Sequence, residues 1–125
     1  MAVTVAEILN LPIMQNAVVV AGTKGLGSDI RWVHVSELLD IARLLKGGEL
    51  LLTTGMGLSV SPEAQERYVY GLAERNVAAV AISLPAFGRE VPPAMVAAAD
   101  AVGLPLIAFT RECPFVQLTE EVHTL

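Results

Sequence analysis

The chain has 125 residues, of which 54% are hydrophobic and only 5% aromatic, and it carries a formal net charge of −5. A chain of this length is expected to fold as one domain that buries roughly two-thirds of its unfolded surface, with a core built mainly from Val, Leu, Ile and Ala. The acidic balance argues against binding to a phosphate backbone, which requires clustered Lys and Arg side chains, so this segment is not expected to bind DNA by itself.

Two further classes of protein are disfavoured by the sequence. No apolar run approaches the roughly 20 residues of a transmembrane helix, and the amino terminus lacks the charged and apolar regions of a secretion signal. The single cysteine, Cys113, excludes an internal disulfide and fits a reducing compartment. A cytoplasmic location without membrane contact is therefore expected.

The amino-terminal part of the chain predicts a short helix and two strands. Thr4 is suited to cap a helix from Val5 to Leu9, before Pro12 interrupts it. The β-branched run from Ala17 to Ala21 predicts a strand, and Ile30 to Val35 predicts a second one. An amino-terminal strand pair is expected, with a loop or hairpin connection between the two runs.

The rest of the chain predicts strands that alternate with helices. A short helix from Ile41 to Lys46 is expected to close at Gly47-Gly48. The later strands are predicted at residues 49–53, 77–84 and 104–109, and the later helices run from Ser61 to Asn76, from Pro92-Pro93 to Gly103 and from Phe115 to Leu125. This alternation predicts an α/β fold with a largely parallel sheet, built from βαβ units with helices packed on it. Residues 1–125 form one predicted domain, and the last helix lacks a stop signal, which favours a fragment of a longer protein.

Four short motifs give the chain a resemblance to a known family. They are Arg31-Trp32, Val35-Ser36-Glu37, Lys46-Gly47-Gly48-Glu49-Leu50 and Leu52-Thr53-Thr54-Gly55. Together they resemble the amino-terminal domain of PucR-type transcriptional regulators, the purine catabolism regulator family, over nearly the whole chain. The resemblance implies that the domain precedes a middle region and a carboxy-terminal helix-turn-helix, and this sequence contains no counterpart of either.

Polar residues follow three of the predicted strands at their carboxyl ends. These ends are Thr53-Thr54-Gly55, Ser83-Leu84-Pro85 and Thr110-Arg111-Glu112-Cys113. Open α/β sheets bind ligands at this edge, so the three ends are expected to converge on a pocket. The predicted ligand-binding residues are Thr53, Thr54, Gly55, Ser83 and Arg111, with Arg111 available to an anionic or carbonyl-rich ligand. The alternative is that all of them are ordinary turn residues.

The other motifs in the sequence predict neither phosphate binding nor catalysis nor a metal site. The segment Lys24-Gly25-Leu26-Gly27 lacks the Gly-Lys-Ser/Thr ending of a phosphate-binding loop, and a strand rather than a helix is predicted to follow it. The two histidines, His34 and His123, form no recognisable catalytic motif with Cys113. There is no Cys-x-x-Cys or His-x-x-x-His pair. No catalytic residue, metal site or cofactor is predicted.

Charged residues cluster between the second predicted strand and the short helix. Asp40 and Arg43 have the spacing of a surface ion pair. For Glu37 and Glu49, the alternative to a surface role is that they position the Thr53-Thr54 turn or contact a second subunit.

The predicted function is a non-enzymatic, metabolite-sensing domain of a transcriptional regulator. The resemblance implies a ligand from purine or related nitrogen catabolism, and contact with DNA only through a helix-turn-helix domain that this chain lacks. The alternative is a homo-oligomerisation module, such as a homodimer, without a ligand of its own, because the high aliphatic content favours an exposed self-association surface. A small enzyme is disfavoured by the absence of a nucleophile or acid–base motif.

Overall fold

A computed structural model of the chain describes residues 3–58, 61–84 and 90–125. Within these ranges the strands are Val3–Thr4 (β1), Ala17–Ala21 (β2), Asp29–Ile30 (β3), Trp32–Val35 (β4), Glu49–Thr53 (β5), Ala79–Ser83 (β6) and Leu106–Phe109 (β7). The α-helices are Val5–Ile8 (α1), Pro62–Glu74 (α2), Pro93–Val102 (α3) and Phe115–His123 (α4). Short 3₁₀ helices span Pro12–Met14, Thr23–Gly25 and Ile41–Leu44.

The main sheet has five strands in the order β2-β7-β6-β5-β4. Strands β4, β5, β6 and β7 are parallel to one another, and β2 joins the edge of β7 in the antiparallel direction. Strands β1 and β3 form a separate antiparallel pair. The predicted α/β fold, with its largely parallel sheet and an amino-terminal strand pair, is confirmed. The pair is formed by β1 and β3, however, and the run from Ala17 to Ala21 belongs to the main sheet.

Helices cover both faces of the sheet, and strand alternation divides the apolar residues between two cores. Leu51, Val80 and Ile82 face one core, to which helices α2 and α3 contribute buried side chains. Leu50, Leu52 and the neighbouring residues of β6 and β7 face the other core, which contains buried residues of α1 and α4. Strands β5, β6 and β7 are therefore buried on both faces, as expected for central parallel strands.

Local signals in the sequence explain the ends of the helices. The Thr4 hydroxyl accepts from the backbone N–H of Glu7, whose carboxylate accepts in return from the Thr4 N–H. The Ser61 hydroxyl caps α2 by accepting from the Ala64 N–H. Gly103 ends α3 in the left-handed conformation, with a φ of +71°. Among the described residues, no helix combines the length and apolar character needed to cross a membrane.

Several predicted elements have different bounds in the structure. The predicted strand Ile30 to Val35 is wrong as one element: Ile30 pairs with Val3, whereas Trp32 begins the pairing with β5. The chain changes partner at Arg31, whose N–H donates to the carbonyl of Gly48 outside the regular ladder.

The predicted helix from Ile41 to Lys46 is wrong in length and type. It is a 3₁₀ helix that ends at Leu44. The Glu49 carboxylate accepts from the backbone N–H groups of Lys46 and Gly47 at 2.8 and 3.0 Å, so these donors are bound to a side chain instead of a helical carbonyl. The predicted strands 77–84 and 104–109 are present but shorter, as β6 and β7.

Gly22 provides a stability test of the contact between β2 and the start of β7. Its φ is +72°, and a Cβ built on it would overlap the carbonyl oxygen of Leu104. Gly22→Ala should therefore lower the free energy of unfolding by more than the roughly 1–3 kcal/mol typical of a strained residue, measured by urea denaturation. Gly27→Ala is the matched control, because nothing lies within 4 Å of its Cβ position. Equal stability of the two variants would contradict this packing.

Candidate ligand-binding site

The carboxylate of Glu37 organises the turn that follows β5. It accepts from the Thr53 hydroxyl at 2.9 Å, the Thr54 hydroxyl at 2.8 Å and the Thr54 backbone N–H at 2.8 Å. The Thr53 oxygen in turn accepts from the N–H of Gly55 at 3.0 Å. Because β4 and β5 are parallel neighbours, Glu37 emerges beside the end of β5 and can reach all of these donors. The turn is thus held by a charged acceptor from the adjacent strand end.

Tyr68 supports this turn from helix α2. Its side chain is buried in the core between the sheet and α2, beside Thr53 and the Glu37 carboxylate. Burial raises the pKa of Tyr68 far above its usual value, and the negative charge of Glu37 raises it further. The phenol therefore stays uncharged at neutral pH and acts as a buried support.

An open cleft of about 540 Å³ lies at the carboxyl ends of β5, β6 and β7. Two residues at the ends of β5 and β6, Thr54 and Ser83, line one side of it. The other side consists of the segment that connects β7 to α4 and the first residues of α4: Glu112, Cys113, Pro114, Phe115 and Val116. The three predicted strand ends are brought together as parallel pairing requires.

The predicted site residues occupy different positions around this cleft. Thr54 and Ser83 line it directly. Thr53 and Gly55 are buried in the turn behind Thr54 and hold its geometry through their own hydrogen bond. Pro85, part of the second predicted strand end, lies outside the described residues.

Arg111 is exposed and is not among the described residues that line the cleft. The backbone N–H and hydroxyl of Thr110 both donate to the carbonyl of Asn16, at 3.1 and 3.2 Å. These bonds hold the chain after β7 close to the residue that precedes β2. In the segment after β7, the first described residue that lines the cleft is Glu112, which directly follows Arg111.

Sequence reasoning missed the apolar wall of the cleft. From the sequence, Phe115 and Val116 are predicted only as the start of a helix and Pro114 has no predicted role, although all three follow the polar end of β7. Their position between β7 and α4 is the signal that was available. In a parallel sheet, the connection that leaves a strand's carboxyl end lies at the ligand-binding edge.

Glu37 and Glu49 have separate roles. Glu37 positions the Thr53-Thr54 turn, in agreement with the alternative raised from the sequence. Glu49 does not position that turn, because it begins β5 and accepts from the backbone N–H groups of Lys46 and Gly47 at the opposite end of the strand. The predicted Asp40–Arg43 pair is present at 2.9 Å, with both side chains more than half exposed.

The surroundings of Cys113 do not activate its thiol. Burial raises the pKa of Cys113, and the negative charge of Glu121 raises it further. His123 is engaged elsewhere, since its Nε2 accepts from the Val33 N–H at 3.1 Å. In the part of the chain that the structure describes, no group of three or more His, Cys, Asp or Glu side chains is arranged to hold a metal ion.

The thiol environment predicts slow chemical modification. Only the thiolate reacts with iodoacetamide, and a raised pKa lowers the thiolate fraction at a given pH. Native Cys113 should therefore be alkylated more slowly at pH 8 than the same residue in the urea-unfolded chain, as followed by mass spectrometry. Faster alkylation in the native state would indicate an activated thiol.

The hydrogen bonds of Glu37 predict that replacing this carboxylate destabilises the protein more than replacing the exposed carboxylate of Asp40. Glu37→Gln leaves one acceptor oxygen for three donors, so the free energy of unfolding should fall by about 1–3 kcal/mol in urea denaturation. Asp40→Asn is the matched control, because it removes one charge from an exposed pair with little effect on stability expected. If the two variants unfold at the same urea concentration, Glu37 does not stabilise the turn as described.

Comparison with known proteins identifies relatives of this chain. A family model described as the purine catabolism regulatory protein-like family, PucR, matches residues 7–125. The Purine catabolism regulatory protein of Bacillus subtilis (strain 168) is 25% identical over 103 residues, covering 82% of this chain and 19% of that protein. The Transcriptional activator PmfR of Paenarthrobacter nicotinovorans is 31% identical over 108 residues, covering 83% of this chain and 22% of that protein. The chain therefore spans about a fifth of the length of these curated relatives.

A solved structure shares the fold. It is the regulatory region of Clostridium perfringens pyrophosphatase, with CBS and DRTGG domains, in complex with its activator diadenosine tetraphosphate. The TM-score is 0.59 with 14% sequence identity, and the match covers 97% of this chain and 50% of that one. At this identity the similarity shows a common fold.

Proposed function

Because the chain belongs to the purine catabolism regulatory protein-like family, we propose that it is a non-catalytic, metabolite-sensing domain of a transcriptional regulator. It binds a small molecule in the cleft at the carboxyl ends of β5, β6 and β7. Contact with DNA belongs to a module outside this chain, since the net charge of −5 disfavours binding to phosphates.

The observation that carries this proposal is the cleft itself. Its volume of about 540 Å³ is in the range of small-molecule sites, and it lies where open α/β sheets bind their ligands. Thr54 and Ser83 offer hydroxyl groups on one side, and Phe115 and Val116 offer apolar surface on the other. A few fixed polar groups opposite an apolar wall are typical of ligand sites.

The same cleft supports a binding role without catalysis. Cys113 is its strongest nucleophile by residue type, but burial and the charge of Glu121 keep the thiol protonated. The curated relatives are named as regulatory proteins of transcription and catabolism. The name of the Bacillus subtilis relative supports a ligand from purine or related nitrogen catabolism.

A homo-oligomerisation module is the second candidate, and exposed apolar side chains favour it. Five such residues have relative exposures between 44% and 71%, and they lie at the end of β4 or in the segments that follow β4 and β5: Val35, Leu38, Leu39, Leu44 and Met56. Exposed apolar side chains of this kind are common at self-association surfaces. Such a module requires no ligand.

Thermal denaturation distinguishes the two candidates. A metabolite that binds the folded state at a hundredfold excess over its Kd stabilises it by roughly 2.7 kcal/mol. We expect at least one compound from a panel of purine-pathway and related nitrogen metabolites to raise the melting temperature, by the same amount at two protein concentrations. A pure assembly module would respond to protein concentration and to no metabolite. A metabolite that is consumed during the assay would contradict the non-catalytic proposal.

The Thr54→Val variant tests whether the metabolite binds in this cleft. It keeps the side-chain shape but removes the hydroxyl from the cleft, so the binding free energy measured by calorimetry should weaken by about 0.5–1.5 kcal/mol. Arg111→Ala is the comparison variant, because Arg111 is exposed and does not line the described cleft. Unchanged affinity in Thr54→Val would place the metabolite elsewhere, and a larger loss in Arg111→Ala would show an anionic group that reaches beyond the cleft.

A further inference from the structure

Strand β4 lies at one edge of the main sheet, and the second half of this edge is free. Successive residues of a strand direct their backbone N–H and C=O groups to opposite sides. The Ser36 N–H donates inward to the Leu52 carbonyl, whereas the Val33 N–H donates outward to the Nε2 atom of His123. Val35 has the orientation of Val33, so both of its backbone groups point away from β5. Within the described ranges, neither group has a hydrogen-bond partner.

Exposed apolar side chains border this free half of the edge. Val35 and Leu38 are each more than half exposed. The Leu39 side chain, also exposed, lies 3.8 Å from the Cβ position of Gly57. This contact brings Met56, the residue before Gly57 and the most exposed of the group, close to Leu39. The segments after β4 and β5 therefore extend an apolar surface from the strand edge.

The opposite edge of the sheet lacks this combination. Strand β2 forms that edge, and Val18 is the large apolar side chain that it exposes. Ala21 and Gly22, at the end of β2, are buried. A free strand edge bordered by apolar surface is suited to the addition of another strand. Of the two edges, that of β4 is the one suited to receive a partner strand.

A second copy of this chain has the groups that this edge lacks. In an antiparallel contact with a twofold axis at Val35, each Val35 N–H can donate to the Val35 carbonyl of the other copy. The exposed side chains of Asp40 and Arg43 have opposite charges, so the face does not meet a copy of itself with a single sign of charge. The bond between His123 and Val33 blocks the edge before Val35, which confines the pairing to its free half.

We infer that two copies of this chain associate through the free half of the β4 edge. Val35 pairs with Val35 of the second copy on the twofold axis, and Leu38, Leu39 and Met56 pack around this pair. The two five-stranded sheets then form one continuous sheet. The inference goes beyond the proposed function, because the association needs no ligand and applies equally to a domain that binds one.

The mass of the chain in solution tests this association without any metabolite. Analytical ultracentrifugation from micromolar to millimolar concentration should show a monomer–dimer equilibrium. The Val35 amide, followed by NMR, should exchange with deuterium more slowly at high concentration than at low concentration. A chain that stays monomeric throughout would overturn the inference, as would assembly beyond a dimer, since a twofold contact closes on itself. Neither result decides the proposed function, which is tested by the change in melting temperature that a metabolite causes.

Two valine variants assign the contact to one edge of the sheet. Val35→Glu places like charges opposite each other in the contact, so the Kd of the dimer should rise about tenfold or more. Val18→Glu is the matched control, because Val18 is 50% exposed and Val35 51% exposed, at opposite edges. If Val18→Glu weakens the dimer as much as Val35→Glu does, the inferred contact is wrong.

Melting temperatures at a concentration where the chains are monomeric check that both variants fold. If Val35→Glu is destabilised, Leu38→Glu replaces it, because Leu38 lies outside the strand and is exposed to the same degree. Leu38→Glu should also raise the Kd of the dimer while the melting temperature of the monomer stays unchanged. A dimer as tight as that of the parent chain would contradict the inferred contact.

Discussion

Burial of β5, β6 and β7 on both faces is the constraint on which the rest of the structure depends. Their side chains are almost entirely apolar along the strands, because helices cover each face. Polar residues can then occur only where the strands end, and parallel pairing brings the three carboxyl ends to one edge. The position of the candidate site follows from how the core is built.

The Glu37 carboxylate fixes the orientation of the polar groups in the turn that follows β5. Without it, the hydroxyls of Thr53 and Thr54 would be free to rotate and to donate to water or ligand. With it, both hydroxyl hydrogens are directed toward Glu37, so the oxygen of Thr54, a residue that lines the cleft, is left with only its lone pairs to offer. A side chain that does not line the described cleft thereby orients a group that does.

The sequence predicted the fold well where a single local signal decides the structure. The bounds of β2 and β5 match, and Ser61, Pro62 and Gly103 mark helix ends as expected. Predictions failed where a group outside the predicted element decides. Arg31 changes partner because Gly48 offers a carbonyl, and the Ile41–Leu44 helix stays short because the Glu49 carboxylate takes the next N–H groups. The role of Arg111 in the site stays a prediction, and the bond from Thr110 to Asn16 beside it is a contact that spacing alone does not reveal.

Under the proposed function, specificity depends on the residues at the sheet edge more than on the sheet. A parallel α/β fold supports many unrelated ligands, because the strands determine where a cleft forms but not which groups line it. Here one side of the cleft is set by Thr54 through its bond to Glu37, and the other by Glu112 and Phe115 at the approach to α4. The same helix ends at His123, which accepts from the Val33 N–H at the edge of β4. Helix α4 thus contacts the cleft with its first turn and the edge strand with its last, and both contacts depend on one rigid element.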